Sequence, residues 1–232
     1  MATKPRTRQP LSRERVLERP IALADKDGID ALSMRKLGQA LGVEAMSLYN
    51  HVASKRELVT AMVDRVIEQF ELPDDEPVWD KAIRRCAISA HDVLIEHQWA
   101  CSLALLPSDL QTVSGPRIGY MEWLLRRLRE GGLSAELTYS AYHTIDSHIF
   151  GFTLWQIGHA QAARMMTVPD GRDFGDWADR FLAEMRPRFP YLAEHGEQHL
   201  SPDAPNGRYE FEFGLDLILA GLKSLRRSKR QR

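Results

Sequence analysis

Apolar residues recur at three- and four-residue intervals along nearly the whole chain, and no stretch sustains the alternation of a half-buried strand. The pattern predicts an all-α protein. A first helical stretch runs from a Ser12 cap to about Asp27, with Leu17, Ile21 and Ala24 on one face and Gly28 at its end. Pro20 falls inside it and either kinks that helix or marks its true start, because proline lacks an N–H and crowds the preceding turn. Ser33 then caps "MRKLGQALG", where Met34, Leu37 and Leu41 keep helical spacing until Gly42 stops it. A stubby third helix follows from Ala45 to about His51. Ser54 caps a longer one to about Phe70, and Glu57 three residues on completes a capping box.

Two short helices joined across a glycine turn make a helix-turn-helix pattern. Leu37, Leu41, Val43 and Leu48 face inward and pin the pair, which leaves the outer face of the third helix projecting. Ser47, Tyr49, Asn50 and His51 then offer hydroxyls, an amide and an imidazole to base edges or phosphates, while Ala45 and Met46 suit thymine methyl groups. The alternative packs Tyr49 into the small domain and uses His51 as a cap. Phosphate contacts fall to the helix starts, Ser33 with Arg35 and Ser54 with Lys55, where free N–H groups and the positive dipole end coincide. Arg56 adds to the second of these.

Beyond Phe70, "ELPDDEPVWD" is acidic and broken by proline, as a linker is. It divides the chain into a DNA-binding head over 1–71 and a larger helical domain over 78–227, followed by a basic tail at 228–232. In the larger domain helical segments are expected at about 78–97, 99–106, 115–130, 135–164, 174–186 and 207–227. No loop between them carries a phosphate-cradling glycine pattern or a zinc spacing.

Charge adds one point. The net formal charge is -1 over 232 residues, so the chain is not broadly coated in phosphate-binding groups. Yet Lys4, Arg6, Arg8, Arg13, Arg15 and Arg19 face only Glu14 and Glu18 within the first nineteen residues, giving a basic arm suited to a polyanion. The closing run "KSLRRSKRQR" reads as a solvated tail. The two cysteines, Cys86 and Cys101, stand without an export signal and read as buried reduced thiols. No apolar run approaches the roughly 18 residues of a membrane helix. A cytoplasmic protein with no cofactor, no metal and no membrane partner is expected.

The stretch "ALSMRKLGQALGVEAMSLYNHVASKRELVTAMVDRV" closely resembles the N-terminal DNA-binding domain of the TetR family of bacterial transcriptional regulators, over roughly residues 12 to 70. The remaining helices look like the regulatory domain of the branch nearest the tetracycline repressor. The resemblance implies that Arg35 touches bases or phosphate, that Ala45, Met46, Ser47, Tyr49, Asn50 and His51 line the DNA face, and that Lys55 binds phosphate. Two residues depart from the family pattern: Pro20 within the first helix, and Glu44, an acid near the groove that accepts from cytosine or repels the backbone.

In the larger domain, Ser147, Gly151, Leu154 and Gly158 fall on one helical stripe, and Gly214, Leu217, Gly221 and Ser224 on another. Small residues permit close helix approach. Two such helices from each subunit would form a four-helix dimer interface and present two recognition helices to major-groove faces about 34 to 36 Å apart, hence a palindromic double-stranded DNA operator. Intramolecular packing of the stripes is the alternative. An unknown small-molecule effector is expected between helices, with His143, Asp146 and Thr153 as polar contacts and Met121, Leu124, Ile149 and Phe150 as walls. His143 and Asp146 have no nucleophile that the sequence places beside them, which ranks catalysis last. A ligand-responsive repressor is the resulting expectation; the other is a DNA-binding organiser that needs no effector, or a regulator controlled by a partner.

Overall fold

The computed structural model of the chain describes residues 13–105, 115–165, 173–200 and 207–230. They form eleven α-helices and one short 3-10 turn, with no strand among the described residues. The Ser12 cap, the basic arm before Arg13 and the last two residues of the tail lie outside them. The chain divides into two compact units, one reaching Thr153 and the other beginning at Leu154.

In the first unit α1 spans Arg13–Asp27 and runs unbroken through Pro20, which therefore does not start it. Proline removes the bond that residue 20 would give to the Val16 carbonyl. The loss is offset by burial, since Val16, Pro20, Ile21 and Ala24 all turn inward and α1 packs on α4. A 3-10 turn, Ile29–Ala31, leads to α2, Met34–Leu41. The Ser33 hydroxyl accepts from the Lys36 N–H at 3.2 Å, and Gly42 ends the helix in the left-handed region at φ 70°.

The single-turn α3 covers Ala45–Leu48, shorter than the span to His51 that the sequence suggested. Past Leu48 the chain tightens, with Asn50 N–H bonded to Ser47 O and His51 N–H to Leu48 O. Helix α4, Lys55–Ile67, begins at Ser54, whose Oγ accepts from the Glu57 N–H at 3.1 Å. The Glu57 carboxylate reaches back to the Ala53 N–H at 2.6 Å, one residue earlier than an ordinary capping box. Val16, Leu37, Leu48, Leu58, Met62 and Val66 are fully buried, whereas Leu41 and Val43 are only half-buried at the edge of this core.

Gly38 sets the crossing of α2 and α3. A Cβ there would lie 2.8 Å from Val43 O and 3.1 Å from Ala45 N, and Val43 N–H already bonds Gly38 O at 2.9 Å. Only a residue without a side chain admits this approach of backbone to backbone.

The acidic linker is pinned rather than loose. Asp74 accepts from Trp123 Nε1 at 3.0 Å and from Arg126 at 2.6 Å, Arg85 pairs with Glu71, and Arg127 donates to Glu76 O. These cations belong to α5, Trp79–Glu96, and α7, Pro116–Glu130, which with α6, Gln98–Ala104, follow the linker. Helix α4 packs on α6 and α7, so compactness joins the head to these helices even though the linker separates them in sequence. Helix α8, Ala135–Met165, is capped by Ser134 and buries Ile145 and Ile149 within the first unit.

The second unit holds the last turns of α8, then α9, Phe174–Met185, α10, Pro190–Leu200, and α11, Arg208–Arg230. Helix α10 is absent from the pattern reading because Tyr191 and Leu192 are exposed and only Ala193 is buried, leaving no apolar stripe to count. It packs on α9, where Leu182 meets Gly196 and Arg186 pairs with Glu197. Among the described residues no helix is long and apolar enough to cross a membrane.

Gly38→Ala is expected to destabilise the first unit by about 1 to 3 kcal/mol in denaturant unfolding, because backbone must shift to admit the methyl group. Gly119→Ala, a helical position where an added Cβ meets nothing within 4 Å, should instead stabilise by about 0.4 to 1 kcal/mol.

Candidate functional site

The short α3 buries Leu48 and turns its other side chains outward. Met46 is 74% exposed and Tyr49 44% exposed, Asn50 is exposed, and Ala45, Ser47 and His51 are half-buried at the edges of the same face. Met46 and Tyr49 are the large apolar groups that this motif leaves exposed. Ser33 and Arg35 at the start of α2, and Lys55 and Arg56 at the start of α4, are exposed around it. Helix starts carry positive dipole ends, and here they sit beside fixed cations. The structure therefore brings all nine residues expected at a DNA face to exposed or half-exposed positions on one small motif, with Tyr49 outside the core.

The residues expected around an effector separate into two groups. Leu124, Ile149, Phe150 and Thr153 are buried and Met121 is half-buried, whereas His143 is exposed and lies edge-on to Tyr139 and Tyr142. Thr153 donates to the Ile149 carbonyl at 2.5 Å and stands 2.8 Å from His91 Nδ1, a buried partner that sequence reasoning missed. Asp146 accepts from the Tyr120 hydroxyl at 3.1 Å and the Tyr142 hydroxyl at 3.5 Å. Burial raises its carboxyl above the ordinary value, more than these bonds and the Arg117 and His143 charges lower it. Burial likewise pushes the Tyr142 hydroxyl up to about 12.

Along the two small-residue stripes, Ser147, Gly151, Gly158, Leu217 and Gly221 are exposed and Leu154 and Gly214 half-buried. A Cβ added at Gly151, Gly158 or Gly221 meets nothing within 4 Å. Cys86 and Cys101 are free and buried, and burial pushes both thiols up, Cys101 to about 12. No three His, Cys, Asp or Glu side chains stand together to hold a metal among the described residues.

Comparison with known proteins is decisive. Residues 17–62 match the family model of bacterial regulatory proteins, tetR family, and residues 72–226, more than half of the chain, match that of the tetracyclin repressor-like C-terminal domain. The chain belongs to the TetR family. It is similar to the HTH-type transcriptional repressor DrrR1 of Streptomyces coeruleorubidus, 31% identical over 93% of this chain and 78% of that protein. The class D tetracycline repressor protein of Escherichia coli is 29% identical over 66% of this chain and 69% of its own length. Among solved structures, the TetR family protein ActR of Streptomyces coelicolor, in complex with actinorhodin, aligns with a TM-score of 0.69 at 26% identity, covering 93% of this chain and 98% of that one.

Within this TetR family head, Gly38 is the determinant that sequence reasoning passed over, although a glycine inside a helix is itself a signal of close packing. His91, Tyr120 and the linker's partners left no such signal, because the groups they meet lie 14 to 62 residues away in the chain.

A carboxyl whose folded pKa is raised favours the protonated fold, so its contribution is present below the unfolded value near 3.8 and is lost as pH climbs through the folded one. Asp146→Asn does not titrate. Its stability relative to the parent chain is therefore expected to improve as pH rises from about 3 toward neutrality, measured by urea unfolding at a series of pH values.

Proposed function

We propose that the chain is a ligand-responsive transcriptional repressor that binds a palindromic operator as a homodimer and leaves it when a small-molecule effector occupies the domain over 78–227. The observation that carries this reading is the α3 face: Met46, Tyr49 and Asn50 exposed on a head whose remaining large apolar groups are mostly buried, ringed by Ser33, Arg35, Lys55 and Arg56. Tyr49, Asn50, Ser47 and His51 supply groups for base edges and phosphates, and Ala45 and Met46 supply apolar contact for thymine methyl groups. Lys55 acts at phosphate, where it sets affinity without reading sequence. Such a regulator works where the DNA is, in the cytoplasm.

Dimerisation is supported by the glycine stripes of α8 and α11, whose open surroundings leave room for the helices of a second copy. The effector reading is supported by ActR, which binds actinorhodin, and by the polar groups held among the buried apolar residues of α5, α7 and α8. Leu124, Ile149, Phe150 and Met121 form the walls of the proposed site, Asp146 and Thr153 its inward polar groups, and His143 an outer contact. Occupancy that shifts the spacing of the two heads by a few ångströms would break paired base contacts worth about 1 to 3 kcal/mol each.

Selection from a random DNA library, followed by anisotropy titration at several salt concentrations, tests the reading. A symmetric, salt-sensitive site bound by a dimer is expected; a folded dimer that enriches no sequence would overturn it. On that site, Lys55→Ala should weaken binding to all DNA and reduce the salt slope by about one. Asn50→Ala should cost about 1 to 3 kcal/mol and relax preference at one base position. Equal loss on every sequence would remove Asn50 from the base-reading set.

A further inference from the structure

A polar knot ties the head to the helices behind it. Asp25, in the last turns of α1, accepts from Trp99 Nε1 at 2.7 Å and faces His97 Nδ1 at 2.8 Å, both on the same carboxylate oxygen. His97 is the single residue between α5 and α6 and is buried. Its other nitrogen lies 3.3 Å from the side-chain amide nitrogen of Gln69, just beyond α4, and that nitrogen also reaches Arg65 O at 3.4 Å. With Nδ1–H donating to Asp25, both ring nitrogens of His97 have a partner, Asp25 on one side and the Gln69 amide on the other. Two elements of the head, α1 and the end of α4, thus converge on one corner of the α5–α6 junction.

Directional bonds at this corner do what apolar packing does not. Helix α4 leans on α6 and α7, and just past it Phe70 stands edge-on to Tyr120; this packing tolerates small rotations more readily than hydrogen bonds do. Two donors on one carboxylate oxygen hold an angle as well as a distance.

We propose that the joint of Asp25, His97 and Trp99 fixes the tilt of the head on α5–α7, and thereby the half-site spacing that a pair of heads accepts. This rests on the operator-binding reading above. Asp25 touches no DNA in that reading; it is a positioning residue, and its signature is lost discrimination between spacings rather than lost contact.

The test compares the parent chain with Asp25→Ala on the selected palindrome, on the same palindrome with one base pair inserted at its centre, and on an isolated half-site. One base pair moves the half-sites by about 3.4 Å and about 35°. The parent is expected to lose at least tenfold in affinity on the insertion. Asp25→Ala should lose threefold or less, with half-site binding unchanged. Trp99→Phe keeps an aromatic side chain while removing the N–H donor together with part of the indole, and gives an intermediate result; it carries the test if Asp25→Ala does not fold. Spacing discrimination equal to the parent's in a folded variant would overturn the proposal. Failure to select any palindrome would overturn the operator reading itself and this proposal with it, an outcome visible before any variant is made.

Discussion

The contact between α2 and α3 at Gly38 is the constraint on which the head depends. Backbone meets backbone there, with Val43 O and Ala45 N occupying the space a Cβ would need. Because the approach is so close, α3 need be only one turn long: the left-handed Gly42 delivers it and Leu48 anchors it in the core. Everything else on that turn is free to face outward. A longer, self-supporting helix would have to spend more of its surface on burial; this one spends a single leucine and keeps Met46, Tyr49 and Asn50 for a partner.

Behind the head, charge decides where the chain goes and burial decides how firmly it stays. The exposed pairs of Arg85 and Arg126 with the acidic linker contribute little stability individually. What they do is remove the linker's freedom to act as a flexible tether, so that α4 meets α6 and α7 along a defined seam. The Arg126 guanidinium also holds the Asp74 carboxyl below its ordinary value, keeping that pair charged. A change in the helices of the larger domain can then reach α4 through contact rather than through a loose hinge.

Local chemistry was the most legible part of the sequence. The caps at Ser33 and Ser54 and the stop at Gly42 declare themselves within three residues, and the structure forms each of them. Tyr49 had two readings, contact with DNA or packing into the small domain, and it stands 44% exposed, outside the core. What the sequence hid is what depends on distance or on the absence of pattern. Pro20 reads as a break, yet tertiary burial carries α1 through it. Helix α10 buries too little to show a period. Asp25 with His97 and Trp99, and His91 with Thr153, join residues 62 to 74 positions apart, and nothing local in either partner announces the other. His143 and Asp146, three apart on one helix, looked like a pair; the first is exposed and the second is occupied by two tyrosines.

The central claim is that DNA is met by the face of α3 and the helix starts beside it. Hydrogen exchange of the dimer, free and bound to its selected operator, tests this most directly. The account predicts slowed exchange concentrated in residues 45–51 and at the first turns of α2 and α4. Unchanged exchange there, with protection appearing only elsewhere in the chain, would contradict it.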